Sequence, residues 1–388
     1  MDNLSMVRKI MTEFAYSTGL SSSEISPRRY LWTDAFAVCN FLELYRLLGD
    51  EAWLRSALDL VDQVHQVLGR HRNDDPRSGW ISNLSEEEGA RHPTIGGLRI
   101  GKEMSERSSS EPFDERMEWE RDGQYYHYLT KWMLALNRTS RSTGDSIFNI
   151  WAIELAKTAH DAFVYTLHPG VKRMHWKMNI DLSSPLVASM GQHDPLDGLI
   201  TYKELQATAL ELFETPDSSL EYEIEDMELL CKGQIWSTRD PLGIGGLLGD
   251  AYRALQLNMT KSIVETELLD DLLESSLAGL NAISDDRFWE LPAGYRLPFR
   301  ELGMTTGLHA VDRMKQLITN NPGLFSGDDQ ICARIERLEH YVHLTRIIEE
   351  FWLEPGHEET GTWKEHQDIN SIMLATSLVP DGYLKWQV

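Results

Sequence analysis

Cysteine is scarce in this chain: its 388 residues hold only 3 Cys, at Cys39, Cys231 and Cys332. They are odd in number, isolated, and form no CxxC pair. Neither a disulfide framework nor a thiolate metal cluster is therefore encoded, and reduced core thiols are the simpler reading. Basic residues are also outnumbered, with 37 Lys and Arg against 61 Asp and Glu, a formal charge of −24. Such a field repels phosphate backbones and anionic lipid, which argues against nucleic acid or a membrane as the main partner. A neutral or cationic small molecule or an oligosaccharide is easier to accommodate. No apolar run is long enough to span a bilayer, and "MDNLSMVRKIMTEFAYSTGL" lacks the uninterrupted apolar stretch of a signal peptide. The expected compartment is the cytoplasm. The sequence is silent on oligomeric state.

Strand signals are few as well, and helical periodicity is nearly continuous. It predicts twelve helices, at about 3–18, 34–48, 51–69, 122–138, 145–167, 195–213, 218–232, 242–257, 262–283, 303–320, 328–352 and 366–378. They alternate in character. "GIGGLLGDAYRALQL" and "ELGMTTGLHAVDRM" are apolar or small nearly all round, as a helix buried on every side must be. "DDQICARIERLEHYVHLTRIIEEF" is charged on one face, as an outer helix is. Alternation over this length predicts an all-α fold, an (α/α)6 barrel or toroid of six helical hairpins. The N-terminal helix would close the ring as outer partner of the sixth hairpin. No low-complexity linker interrupts the chain, so residues 1–388 read as a single domain. Two lid-like insertions break the rhythm, at about 70–121 and 168–194.

A small group of charges recurs where inner helices begin: "RDG" at Arg121, "HDPLDG" at His193, "RDPLGIGG" at Arg239 and "HQDIN" at His366. In a ring of hairpins the inner helices run the same way, so groups placed before them converge on one mouth. The expected lining is Trp32 and Asp34, Arg121 and Asp122, His193 and Asp194, Arg239 and Asp240, Arg300 and Glu301, His366 and Asp368. Each Asp has a plain alternative role as a helix cap, because a carboxylate accepts the unpaired N–H groups of a first turn.

The segments "YLWTDAFAVCNFLELYRLLGD", "GGLRIGKEMSER" and "MEWERDGQYYHYLTKWMLAL" resemble a bacterial and archaeal family, without assigned activity, of the six-hairpin glycosidase-like superfamily. The resemblance implies an (α/α)6 toroid with a carbohydrate-type cleft at one end. It carries no reaction over, since the superfamily includes hydrolases, sugar epimerases and lyases.

Glycoside hydrolysis needs two carboxylates flanking a sugar bond. The preferred pair is Asp122 with Asp194, next to Arg121 and His193. Arg239 and Asp240 would position hydroxyls, and Trp32 or Trp176 would stack on sugar rings, with Trp119, Trp236 and Trp363 as further candidate faces. Sugar epimerisation would use a histidine pair instead, His193 with His366, while His127 and His309 sit within inner helices and read first as core residues. A third reading is a non-catalytic sugar-binding or scaffold protein in which Arg121, Arg239 and Arg300 neutralise the acids. His193, Asp194, His366 and Asp368 include metal-ligand types, but no HxH or HExxH spacing supports them, so no metal is expected. "GIGGLLG" lacks the strand that a dinucleotide-binding turn requires, so no cofactor is expected either. Its glycines read instead as close contacts between packed helices.

Overall fold

The structure, a computed structural model, describes residues 2–22, 24–108, 110–168, 170–212, 218–260, 264–286, 288–322 and 329–386. The chain forms two compact units, one of Glu13–Gln234 and one of Ile235–Gln387 with Met1–Thr12. The first helix, α1 (Asn3–Ser17), thus contributes its opening turns to the unit built from the C-terminal residues.

The unit of residues 13–234 contains three helical hairpins. They are α2 (Leu31–Leu48) with α3 (Glu51–Leu68), α6 (Tyr126–Thr143) with α7 (Ile147–Phe163), and α8 (Asp194–Leu212) with α9 (Glu221–Cys231). Between the first two lie the short helices α4 (Glu86–Arg91) and α5 (Glu115–Glu120) and strand β1 (Gln124–Tyr125); between α7 and α8 lie β2 (Val164–His168), β3 (Val171–Met174), β4 (Lys177–Met178) and β5 (Pro185–Val187). In each hairpin the two helices differ as their sequences require. Every residue of α2 from Leu31 to Leu44 is buried. In α3 burial falls on Ala57, Leu60, Val61, Val64, His65 and Leu68, the spacing of a single, mainly apolar stripe. Glycine stops two helices of this unit: Gly49 and Gly144 adopt φ of 67° and 73° after α2 and α6, a left-handed turn that a Cβ would strain.

α2, α6 and α8 are packed side by side, and polar groups buried there are paired. Asn137 donates to Asn149 at 2.9 Å and Thr208 at 2.8 Å, joining α6, α7 and α8, and Arg138 pairs with Glu204 at 3.1 Å. The insertion at 70–121 has a small core of its own, in which the Trp80 indole packs on Gly89 with the Arg70 guanidinium 4.4 Å above it. β1, β4 and β5 form an antiparallel sheet, and β2 pairs with β3. These strands of two to five residues are too short to show alternation in the sequence. Arg77, held by Asp75 at 2.8 Å, ties the insertions to each other through Asp181 at 2.7 Å.

The unit of residues 235–387 holds α10 (Pro241–Asn258) with α11 (Thr266–Asp286), α12 (Pro298–Asn320) with α13 (Asp329–Glu339) and α14 (His343–Leu353), then α15 (Gly361–Lys364), α16 (Gln367–Leu378) and α17 (Asp381–Leu384). The helix expected over 328–352 is two helices, broken at His340–Val342. Expected helix ends at residues 213, 262 and 328 lie outside the described residues. α12, α14 and α16 share a network in which His309 meets Glu349 at 2.9 Å and Ser377 joins Glu349 to Thr305. No helix among the described residues is long and apolar enough to cross a membrane.

Of the glycines of "GIGGLLG", Gly245 acts by close approach. A Cβ on Gly245 would lie 2.1 Å from the Gly303 carbonyl oxygen, and one on Gly307 2.4 Å from the Gly245 oxygen, so the backbones of α10 and α12 touch. Gly246, one residue on, faces open space. Gly245→Ala is therefore expected to destabilise the fold by about 1–3 kcal/mol through overpacking. Gly246→Ala should be neutral or stabilising by up to ~1 kcal/mol through helix propensity. Urea unfolding of the two variants side by side checks the difference.

Candidate active site

The two acids expected to work as a pair have opposite surroundings. Asp122 is fully buried. Its Oδ2 accepts from Arg99 at 2.5 Å and Arg72 at 3.2 Å. Its Oδ1 accepts backbone N–H groups from Gly101 at 3.0 Å, Lys102 at 3.4 Å and Gly123 at 3.1 Å. Every lone-pair direction is used, leaving no place for a substrate atom. The expectation of Asp122 as a catalytic carboxylate is thus corrected: it is the post on which "GGLRIGKEMSER" and "RDG" are fastened together. Its neighbour Arg121 turns away to Glu111, 2.9 Å distant, and does not meet a ligand cleft with Asp122.

Asp194 is the first residue of α8 and is also buried, at 6 % exposure. Among the described residues its Oδ2 has no hydrogen-bond partner, and a Gly191 backbone hydrogen bond gives the carboxylate some support. Desolvation, reinforced by the Asp197 charge one helical turn on, pushes its pKa up to about 7, against the weaker opposing pull of Lys131. The carboxylate lies over Gly191, where a Cβ would come within 2.4 Å of Oδ2. Asp197 itself bonds Lys131 at 2.8 Å and Thr130. The Asp194 carboxyl therefore keeps its proton to far higher pH than an exposed Asp does.

His127, in the first turn of α6, is the other polar group at this place. Its Nδ1 is 3.9 Å from the Asp194 Oδ1 and accepts from the Trp176 indole N–H at 3.3 Å, which leaves its proton on Nε2. Burial pulls its pKa down to about 4, so the ring is neutral at pH 7. Aromatic rings surround it: Trp32 at 6.0 Å, Tyr125 at 5.3 Å and Tyr128 at 4.9 Å between centroids. Tyr128 shares a hydroxyl contact of 2.6 Å with Tyr30, whose pKa burial raises to about 12.

The remaining expected residues divide by unit. Asp34 caps α2 from within the helix, accepting the Tyr30 N–H at 2.9 Å and pairing with Arg29 at 3.4 Å. His193, half-buried, directly precedes Asp194. In the C-terminal unit Asp240 and Arg300 form an ion pair of 2.7 Å. Glu301 is buried between Arg296, at 2.5 Å, and the Trp352 indole N–H, at 2.9 Å, which leaves it no free face for a ligand. His366 is exposed with its ring centroid 5.9 Å from that of Phe299, Asp368 is partly buried on α16, and Arg239 is exposed. Trp236 and Trp363 are buried. Among the described residues no group of three or more His, Cys, Asp and Glu is arranged to hold a metal ion.

His127, Tyr125, Lys131 and Asp197 were not singled out for the mouth by their spacing. Asp197 stands in "HDPLDG", and its separation of three from Asp194 was the available signal, since residues three apart share a helix face.

No protein-family model matches the chain, and no curated protein matches its sequence. Solved structures do match in shape. A GH76 alpha-mannanase of Bacteroides thetaiotaomicron is 10% identical, with 98% of this chain and 96% of that one covered and a TM-score of 0.54. An inactive variant of an alpha-1,6-mannanase of Salegentibacter sp., in complex with alpha-1,6-mannotetrose, is 12% identical over 100% of both chains, with a TM-score of 0.52. A cellobiose 2-epimerase of Spirochaeta thermophila is 12% identical, covering 96% of this chain and 97% of that one at a TM-score of 0.49. The chain thus shares its fold, an (α/α)6 barrel, with the two mannanases.

Asp122→Ala is expected to lower stability by about 3–5 kcal/mol, because Arg99 would remain buried without its partner. Denaturant unfolding at pH 7 measures it. A variant as stable as the parent would return Asp122 to the list of chemical groups.

Proposed function

We propose that the protein is a cytoplasmic glycoside hydrolase whose general acid is Asp194. The observation that carries this reading is a buried carboxyl with an unpartnered oxygen, its pKa raised to about 7. Protonating a glycosidic oxygen at neutral pH requires a carboxyl group still holding its proton, and desolvation supplies it. The fold shared with two alpha-mannanases fits this chemistry. Cys39, Cys231 and Cys332 form no disulfide, which supports a reducing compartment.

The roles follow from position. Asp194 donates the proton, and Asp197, ion-paired to Lys131, keeps a negative charge close enough to hold that proton on. Neutral His127 offers its Nε2–H to a sugar hydroxyl, oriented by the Trp176 indole. Trp32, with 9 % of its surface exposed, supplies an apolar wall beside His127.

A second reading has one observation in its favour. Neutral His127 lies 3.9 Å from Asp194, and a neutral imidazole beside a carboxyl is the acid–base couple that sugar epimerisation needs. The expected pair of His193 and His366 gives way to His127 here. Product analysis separates the two reactions: hydrolysis creates new reducing ends, whereas epimerisation changes stereochemistry at constant chain length.

Asp194→Asn is expected to lower kcat by about 10²–10⁴-fold. In the parent, activity should fall as pH rises through about 7, where the acid form is lost. The same shift has a consequence for stability. The folded carboxyl binds its proton more tightly than the unfolded one, so the folded state loses stability as pH rises from about 4 to about 7. Asn carries no such charge, so the inactive variant should be more stable than the parent at pH 8, by up to about 4 kcal/mol. Thermal unfolding of both proteins at pH 5 and pH 8 tests this. A variant that is less stable at pH 8, or that keeps its activity, would overturn the assignment.

A further inference from the structure

A cleft of about 200 Å³ opens in the unit of residues 13–234, walled by Phe113, Trp119, Tyr125, Trp176 and Val187, with Glu115 and Ser189 at its edge. Large aromatic side chains left in water are the unusual feature here: Trp119 is 42% exposed and Phe113 56%. They are not loose. Trp119 stands edge-on to Trp176, with centroids 4.9 Å apart. The residue before it, Glu118, is buried and receives Lys177 at 3.0 Å and Arg107 at 3.0 Å. Lys177 also donates to the Glu118 and Arg121 carbonyl oxygens, at 2.7 Å and 2.8 Å. Asp114 caps the first turn of α5 through the Arg116 and Met117 N–H groups. A buried charge cluster thus holds an exposed indole in one position, which removes the ordering cost from any ligand that stacks on it.

We propose that this slot is a second sugar-binding subsite, taking the pyranose ring next to the one at Asp194, so that the substrate is an oligosaccharide chain and not a monosaccharide derivative. This rests on the reading of Asp194 and His127 as the reacting centre. Three observations favour a sugar ring. Its carbon-bound hydrogens form an apolar face that suits Trp119 and Tyr125, while its ring-edge hydroxyls need partners such as Ser189 and Glu115, both exposed. The volume is below that of pockets for drug-sized ligands and suits a single ring. Continuity is the third. Trp176 lines the slot and gives its indole N–H to His127, whose Nδ1 is 3.9 Å from Asp194, so one side chain touches both places.

The test is calorimetric titration in the full chain carrying Asp194→Asn, which leaves the ligand intact. Mannotetraose, cellotetraose and xylotetraose are compared with mannose, glucose and xylose. At least one tetrasaccharide should bind more tightly than its monosaccharide. Adding Trp119→Ala should weaken that tetrasaccharide at least about tenfold and leave the monosaccharide unchanged, and Trp119→Phe should restore most of the loss. Equal affinity for chain and monomer, or a chain-length advantage that survives Trp119→Ala, would overturn the subsite. The hydrolase reading fails separately: a parent protein that binds the tetrasaccharide through Trp119 but releases no new reducing ends would keep the slot and lose the hydrolysis.

Discussion

Taking a carboxylate out of water costs several kcal/mol unless a cation or N–H groups replace the water, and this constraint organises the protein. Asp122 is given two guanidinium groups and three backbone N–H donors. Glu301 is given Arg296 and the Trp352 indole. Asp34 is given Arg29 and the Tyr30 N–H. Asp194 is given almost nothing, and its response is to keep its proton. Acids near the starts of inner helices thus become structural or chemical according to what surrounds them.

The surroundings come mainly from the two insertions. Arg72 and Arg99, which neutralise Asp122, belong to the first, and Lys177, which neutralises Glu118, belongs to the second. Trp176 of the second insertion sets the tautomer of His127 on α6. The hairpins therefore carry the reacting groups, and the insertions decide which of them are paired. The same charge cluster that buries Glu118 holds Trp119 out in solvent, so one set of ion pairs serves both the fold and the cleft.

Much of the architecture was legible in the residues. Continuous burial in α2 and a single stripe in α3 follow directly from their patterns of apolar side chains. The glycines of "GIGGLLG" read as close packing, and the contact of Gly245 with Gly303 is of that kind. The break at His340–Val342 was not legible, because the residues of the break itself suit a helix and no Pro or Gly marks it. Nor were the short strands, which are too brief to show alternation, and β1 draws its pairing from more than fifty positions away, where Gln124 meets Met178.

The sequence by itself determined the helical class, the hairpin rhythm and the acidic surface, because periodicity and net charge are sums over local residues. It also placed acids near the starts of inner helices, Asp194 among them. Tertiary structure decided which acid keeps its proton. Arg99 is 23 residues from Asp122 along the chain, and His127 is 67 from Asp194. A pKa depends on solvent and charge within a few ångströms, and those neighbours are chosen by packing rather than by spacing.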